Sequence, residues 1–403
     1  MGETAGLSFE LDEETRMICE NLEAFIEQEV KPIQADLGET YSNPRLRCEA
    51  NGRLVDEVVE AMAEIRRRSA EAGFYAMNLP EDVGGGGVSN VTWYEAKKTV
   101  AASGVPMAQH ALAGPEGPKP LLMLAEGEQV DRYLEPTIRA EKSTAFGQTE
   151  PGVGSDSPNM STSAEKDSDE WVLNGTKQWI TNGPYADFVQ VFARTTPQDE
   201  VGRYGGITCF IVESEEYEVS SLNNAVGSEG MQAELVFNDV RLGEDRVLGQ
   251  VDGAFYQAMD FLSLGRLELG AEAIGAAEYV LEEAAEYAGD REAFGRPIGK
   301  FQQVSSKLAR GRARTYAADA AGKRIAWEMD QGGNLVEEAS ILKWLGTDVF
   351  WEVADDAVQI HGGNGLSEDN DLMDHLHMAR LLRIVEGTDE IQLNTIAKEF
   401  TGI

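Results

Sequence analysis

Four stretches toward the end of the chain carry helical periodicity over unusual lengths: roughly 254–289, 300–331, 334–360 and 371–383. Several run well beyond the ~11–12 residues of an average helix. They are rich in alanine and hold interior glycines at Gly265, Gly270 and Gly275. Small residues let helix backbones approach closely, so the pattern predicts an antiparallel four-helix bundle. Helices this long also leave apolar faces for other copies of the chain to cover.

The rest of the chain reads differently. From about Ser143 to Gly249 the signals are short β-branched and aromatic runs between turns, with strands expected at Phe188–Ala193, Ile207–Val212 and Ala233–Phe237. Trp171-Val172-Leu173 followed by Asn174-Gly175 reads as a hairpin with a primed turn. Before Ser143 the helical period returns. Ile18, Leu22, Phe25, Ile26 and Val30 share a face, and Pro32 is expected to end that helix. Val55, Val58, Val59, Met62 and Ile65 mark a second helix with Gly73 as its C-cap. Further helices are expected around Val91–Ser103, Leu121–Ala125 and Gln129–Arg139, and Leu79–Gly87 reads as a flexible turn. The expected fold is α+β, mainly α. It has an N-terminal helical domain (1–142), a central β domain of six to eight strands (143–250) and a C-terminal helical bundle (251–403).

Charge narrows the function. Lys and Arg number 34 against 71 Asp and Glu, a net charge of −37. That field argues against nucleic acid as a partner and against adsorption to anionic lipid. The acidic excess is spread along the whole length, which suggests a surface adapted to high salt and a halophilic source. Cys19, Cys48 and Cys209 are far apart, without a CxxC pair or a Cys/His cluster, so a reducing cytoplasm and no metal site are expected. Met1-Gly2-Glu3-Thr4 does not begin like a secretory signal, and no run of ~18 apolar residues suggests a membrane span.

Five stretches carry candidate chemistry. In Arg383–Gln392, Glu386 and Gly387 precede Thr388 or Asp389, either of which can cap a last helix. Glu386 then sits in a tight loop at a helix N-terminus. The partial charge there favours its carboxylate, while burial against an apolar ligand favours the acid; a carboxyl balanced this way can act as a general base. Gly147–Asp156 follows a strand and makes a turn of Gly, Pro, Ser and Asp whose N–H and hydroxyl groups can face a ligand. No GK[ST] follows, and no Rossmann fingerprint is present. Lys177–Gly183 places Trp179 and Thr181 two apart on a strand, a flat wall and a hydroxyl suited to a planar heteroaromatic. Asp290–Gln302 joins two long helices, and Arg291 there can grip a pyrophosphate. Gln359–Gly365 ends another long helix with glycines that permit close backbone approach. Each alone is also compatible with a plain turn, a buried Trp or a helix stop.

Together, in order and at matching spacing, these stretches resemble the acyl-CoA dehydrogenase family over nearly the whole chain. Leu79–Gly87 is similar to the family's LPExxGG turn, Thr149–Asp156 to TEPGxGSD, and Trp179–Asn182 to WITN. Arg291–Gln302 is similar to RxxFGxPIxxFQ, Gln359–Gly365 to QIxGGNG, and Glu386–Thr388 to EGT. The resemblance implies FAD, with Thr181 donating toward flavin N5, Trp179 packing by the ring, and Phe146, Gln148, Thr149, Ser155 and Ile180 also in contact with it. It implies that Arg291, Phe294, Gln302, Gln359, Gly362 and Gly363 bind the ADP half across a subunit interface, with Thr388 and Glu390 near the phosphates. Ser155, Arg266 and Gly387 are the substrate-side candidates, and Glu386 the base that takes the α-proton of an acyl-CoA thioester. It implies a homotetramer, a dimer of dimers, that passes electrons to electron-transfer flavoprotein.

Some positions depart from the pattern. Certain members place the base one residue before an Arg on a long helix; here Gly265 precedes Arg266, which leaves Glu386 as the candidate. Ser263 stands where an Asp is common, Ala293 where a hydroxyl is frequent, and Leu308-Ala309-Arg310-Gly311 replaces LAxM. Two other readings stay open: an oxygen-using oxidase or monooxygenase on the same fold, and a non-catalytic acyl-CoA-binding protein.

Overall fold

The computed structural model describes residues 10–225, 228–333 and 335–402. Helices α1 (Glu13–Phe25), α2 (Lys31–Leu37), α3 (Asp56–Glu71) and α4 (Asn90–Ala102) come first. Pro32 does not stop the opening helix. A wide π turn, Ile26–Val30, precedes it and places Pro32 in the first turn of α2, where its missing N–H is not needed. Helix α3 ends as expected, with Gly73 at φ +84°. The Leu79–Gly87 turn is packed tightly, which corrects the expectation of flexibility. A Cβ on Gly85 would lie 2.2 Å from the Leu79 carbonyl oxygen, and one on Gly86 2.9 Å from Met77 Cα.

Among the described residues, eight strands form one mixed sheet: β1 (Thr144–Gly147), β2 (Ser163–Asp167), β3 (Glu170–Thr181), β4 (Phe188–Arg194), β5 (Ile207–Glu213), β6 (Glu218–Asn223), β7 (Gln232–Leu242) and β8 (Val247–Leu248). The order is β6-β7-β3-β2-β4-β5-β8, with β1 parallel to β4. Strands β4 and β5 are apolar without alternation because both faces are covered. Phe188, Phe192, Ile207, Cys209 and Ile211 join one apolar cluster, with Tyr75, Leu121 and Leu134. Val189, Val191, Ala193, Phe210 and Val212 join another, with Trp171 and Leu235.

The expected hairpin at Asn174-Gly175 is absent. The β2–β3 turn falls at Ser168-Asp169, with Ser168 at φ +60°. Asn174 lies inside β3 at a bulge, where its amide exchanges hydrogen bonds with Asp239. Gly175 is needed for close packing instead: a Cβ there would stand 2.4 Å from Thr162 Oγ1.

The last part is helical: α5 (Ala254–Asp290), α6 (Gln302–Asp330), α7 (Val336–His361), α8 (Leu372–Leu382) and α9 (Asp389–Thr401). The interior glycines act as the sequence suggests. A Cβ on Gly270 would lie 2.6 Å from Leu342 of α7, and one on Gly275 2.3 Å from the Lys98 carbonyl of α4. By contacts the chain divides into two compact units that interleave in sequence. Of the described residues, one unit holds those within 10–28, 88–108 and 262–402, and the other those within 29–87 and 109–261. Packing therefore cuts across the three consecutive segments, because Val91, Tyr94 and Ala101 of α4 belong to the apolar core of the bundle. No described helix is long and apolar enough to cross a membrane.

Candidate active site

Within the helical unit, Glu386 sits between α8 and α9 in a left-handed conformation, φ +52°, with Gly387 at φ +90°. Thr388 caps α9, its hydroxyl accepting from Ile391 N at 3.4 Å. A non-glycine residue at this φ stores roughly 1–3 kcal/mol and persists only where its surroundings hold it. Two buried side chains hold this one. Lys343 Nζ donates to the Gly387 carbonyl at 2.8 Å. Gln392 Nε2 donates to the carbonyls of Glu386 and Gly387 at 2.9 and 3.0 Å. The Glu386 side chain is exposed and its carboxylate rests over Gly265, where a Cβ would stand 3.5 Å from Oε2. Arg266, the next residue, is buried and donates to Ser340 Oγ at 2.9 Å. Burial lowers the pKa of Arg266, and the charge of Glu386 opposes that. Burial also brings Lys343 down to about 8, against the attraction of Asp389 and then Glu386. A cleft of about 310 Å³ opens beside Thr388 and Glu390, lined by Trp351, Arg380, Arg383 and Asp389. The exposed Glu390 carboxyl is held low by backbone and Thr388 hydrogen bonds at the start of α9.

At the far end of α5 lies the second group of candidates. Arg291 and the tight turn holding Phe294 (φ +52°) are exposed, as are Gln302, Gln359, Gly362 and Gly363. Tyr287 stacks on His361 at 4.1 Å and accepts from Asn364 Nδ2 at 3.1 Å, which brings the ends of α5 and α7 together. Gly265 and Arg291 are about 40 Å apart along this helix, at ~1.5 Å per residue. One chain therefore does not bring these residues to Glu386.

In the β unit, two stretches that are apart in sequence are joined. The turn after β1 closes on itself through Glu150 N to Val153 O (2.9 Å) and Val153 N to Glu150 O (3.1 Å). It docks on β3 through Gln178 N to Thr149 O, 2.9 Å. Beneath it lies a buried ion pair, Lys177 Nζ to Glu150 Oε1 at 2.8 Å. Lys177 also donates to the Gln148 carbonyl at 3.1 Å, and Glu150 accepts from Ser161 and from Thr162 N. Burial penalises the Glu150 carboxylate, but Lys177 and these donors outweigh it and hold it at about 2. Sequence reasoning missed this pair, although Lys177 falls in phase with Trp171 and Leu173, where a buried cation requires a partner.

Trp179 is half exposed and left-handed, φ +61°, at a second bulge of β3. Simple alternation between Trp179 and Thr181 is therefore broken, yet both stay accessible while Ile180 is buried. Phe146 is exposed at the end of β1 and packs on Phe192 at 5.0 Å. Asn182, also missed, is buried at φ +64° and ties β3 to β1 through Thr144 O at 2.9 Å. Ser155 is exposed at the open tip of the turn. Of eight described non-glycine residues at positive φ, Trp179, Phe294 and Glu386 are candidate site residues and Asn182 adjoins one. Strain of this kind gathers where function demands it.

The chain belongs to the acyl-CoA dehydrogenase family, matching its N-terminal domain over residues 12–141, its middle domain over 145–240 and its C-terminal domain over 253–401. Members of this family bind FAD and are oxidoreductases acting on acyl-CoA. The 3-(aryl)acrylate reductase of Clostridium sporogenes is 34% identical over 379 residues, covering 93% of this chain and 94% of that one. A caffeyl-CoA reductase–Etf complex subunit of Acetobacterium woodii is 33% identical over 355 residues, covering 85% and 92%. The butyryl-CoA dehydrogenase structure from Megasphaera elsdenii superposes with a TM-score of 0.83 at 29% identity, covering 98% and 100%.

Proposed function

We propose that this chain catalyses α,β-dehydrogenation of an acyl-CoA thioester to the trans-2-enoyl-CoA, with Glu386 as the general base. The observation that carries this reading is the exposed Glu386 carboxylate, held in a left-handed loop over Gly265. FAD, when bound, supplies the hydride acceptor. The residues present suit it: Trp179 and Phe146 offer accessible aromatic faces, and Thr181 a half-buried hydroxyl. Ser155, Gln148 and Thr149 line the turn beside β3, and Thr388 and Glu390 border the cleft with Arg380 and Arg383. In the reaction Glu386 accepts the α-proton, and the N–H groups of its loop donate toward the thioester oxygen to stabilise enolate charge. Arg266 and Gly387 border that position.

Arg291, Phe294, Gln302, Gln359, Gly362 and Gly363 gather beyond the far end of α5, about 40 Å from Gly265 at ~1.5 Å per residue, too far to reach the same dinucleotide as Glu386 within one chain. Their separation supports a homotetramer in which they hold the ADP half of a neighbour's FAD. Electron-transfer flavoprotein as the acceptor is supported by the Etf complex of the A. woodii relative. The even acidic excess supports a halophilic source, and the composition a cytoplasmic location. A second reading is favoured by the two relatives named as reductases: turnover in the opposite direction, on an aryl-substituted enoyl thioester.

Anaerobic titration of the yellow protein with acyl-CoAs of graded length, branching and aryl substitution tests both. Bleaching of the flavin by a saturated thioester supports dehydrogenation. Recovery of colour on adding only an aryl-enoyl-CoA to reduced enzyme favours the reductase direction. Tight ligand binding with neither change would leave a binding protein, and rapid recovery in air with peroxide release an oxidase.

A further inference from the structure

We propose that Lys343 and Gln392 are positioning residues that clamp the Glu386 and Gly387 carbonyls and so fix the direction in which Glu386 presents its carboxylate. The inference rests on the proposed role of Glu386 and adds what keeps it in place. Lys343 and Gln392 are fully buried, and between them they make three hydrogen bonds to two consecutive carbonyls. Among the described residues Lys343 makes no ion pair within 4.0 Å. A buried ammonium directed at a neutral carbonyl is a costly way to fill a core, since an apolar side chain of the same shape avoids the desolvation. Its use here follows from the loop. Glu386 at φ +52° relaxes toward ordinary backbone unless the peptides around it are held; Gln392 holds the one that follows it, and Lys343 with Gln392 the next, beyond Gly387.

The clamp is anchored at a rigid point. Three residues beyond Lys343, Gly346 lies against α5 so closely that a Cβ would stand 3.1 Å from the Gly270 carbonyl oxygen. Helix α7 is therefore seated against α5 at this point and has no room to move toward it. On the other side Arg383 Nε pairs with the buried Asp389 at 2.6 Å and fixes the start of α9, which carries Gln392. The loop is thus held from α7 and from α9 together, while the Glu386 side chain itself stays free to take a proton.

The test uses FAD-loaded enzyme carrying Lys343→Met, Lys343→Arg or Gln392→Leu. FAD content, thermal midpoint, kcat, KM and the crystal structure of each would be measured. Lys343→Met is expected to lower kcat about 10²-fold, with KM and FAD content near wild type, because a shift of about 1 Å in a catalytic group costs that much. Its crystal structure is expected to show Glu386 out of the left-handed region. Lys343→Arg, which keeps a donor, is expected to recover most of the rate. Wild-type kcat in Lys343→Met, or an unmoved Glu386 in its crystal structure, would overturn the proposal. Should Lys343→Met fail to fold, Gln392→Leu carries the same two readouts. If wild-type enzyme turns over no acyl thioester, the reading of Glu386 as base fails, and the position of Glu386 in the variant crystals still decides the clamp.

Discussion

The carboxylate of Glu386 and the backbone of Gly265 share one small space. A Cβ at 265 would stand 3.5 Å from Glu386 Oε2, in van der Waals contact, so the proposed base rests directly on the α5 backbone. Replacing Glu386 by Gln keeps the shape and removes the basicity. We expect Glu386→Gln to retain FAD and to lose about 10³-fold in kcat, the contribution of a positioned general base. Steady-state kinetics with a dye acceptor would check this, and full activity would place the base elsewhere.

Lys177 and Glu150 stabilise the turn between β1 and β2 only as a pair. Lys177→Met strands a buried carboxylate and is expected to cost about 3–5 kcal/mol, read from urea unfolding. Lys177→Met combined with Glu150→Leu should be more stable than Lys177→Met alone.

Gly175 is limited by space and by its backbone, φ +151°, rather than by a turn. Gly175→Ala would set a Cβ 2.4 Å from Thr162 Oγ1 and 2.7 Å from Thr162 Cα, against a fully buried residue. The expected loss is about 1–3 kcal/mol, measured as a shift in the urea midpoint at unchanged slope.

Two buried carboxylates set the acid limit. Burial disfavours the charged form of Glu116, but His110 and Arg66 outweigh it and hold Glu116 at about 2; Glu150 is also at about 2. Both folded values lie below the unfolded ~4.3, so their stabilisation is present above that pH and is lost as pH falls toward 2. Urea midpoints taken at pH 7, 4 and 3 should drop steeply over the last two. Glu116→Gln, lower at neutral pH, should show a shallower decline.

A net charge of −37 makes stability depend on salt. Screening lengths shrink from ~10 Å at 0.1 M to ~3 Å at 1 M, so repulsion between surface carboxylates fades over that range. The thermal midpoint is expected to rise with KCl and to level off near 1 M. Sedimentation in the same series should show the proposed tetramer dissociating as salt is withdrawn; an unchanged tetramer without salt would remove the halophile reading.

Long periodic helices and their glycines were legible from the sequence because Gly270 and Gly275 lie where an apolar stripe leaves no room for a side chain. Local pattern likewise indicated the helix cap at Thr388 and the turn after Thr149, both of which the structure shows. Three things were not legible. Asn174-Gly175 has the composition of a turn, but its glycine answers to Thr162, a contact no local pattern shows. Pro32 marks a helix end unless a π turn precedes it, and π turns have no sequence signature here. Lys343 looks like any helix lysine until α9 is seen to bring the Gly387 carbonyl against it.

The interleaving of the two units bears on how the chain is made. Residues 29–87 and 109–261 are all present once position 261 has been synthesised, so the β-containing unit can be complete while the ribosome is still at work. Residues 10–28 and 88–108 belong to a core whose remaining members begin at 262, so α1 and α4 emerge long before the helices that bury them. For that interval α1 and α4 have each other but not the long helices that follow, so the core that holds Val91, Tyr94 and Ala101 closes only once those helices have been made.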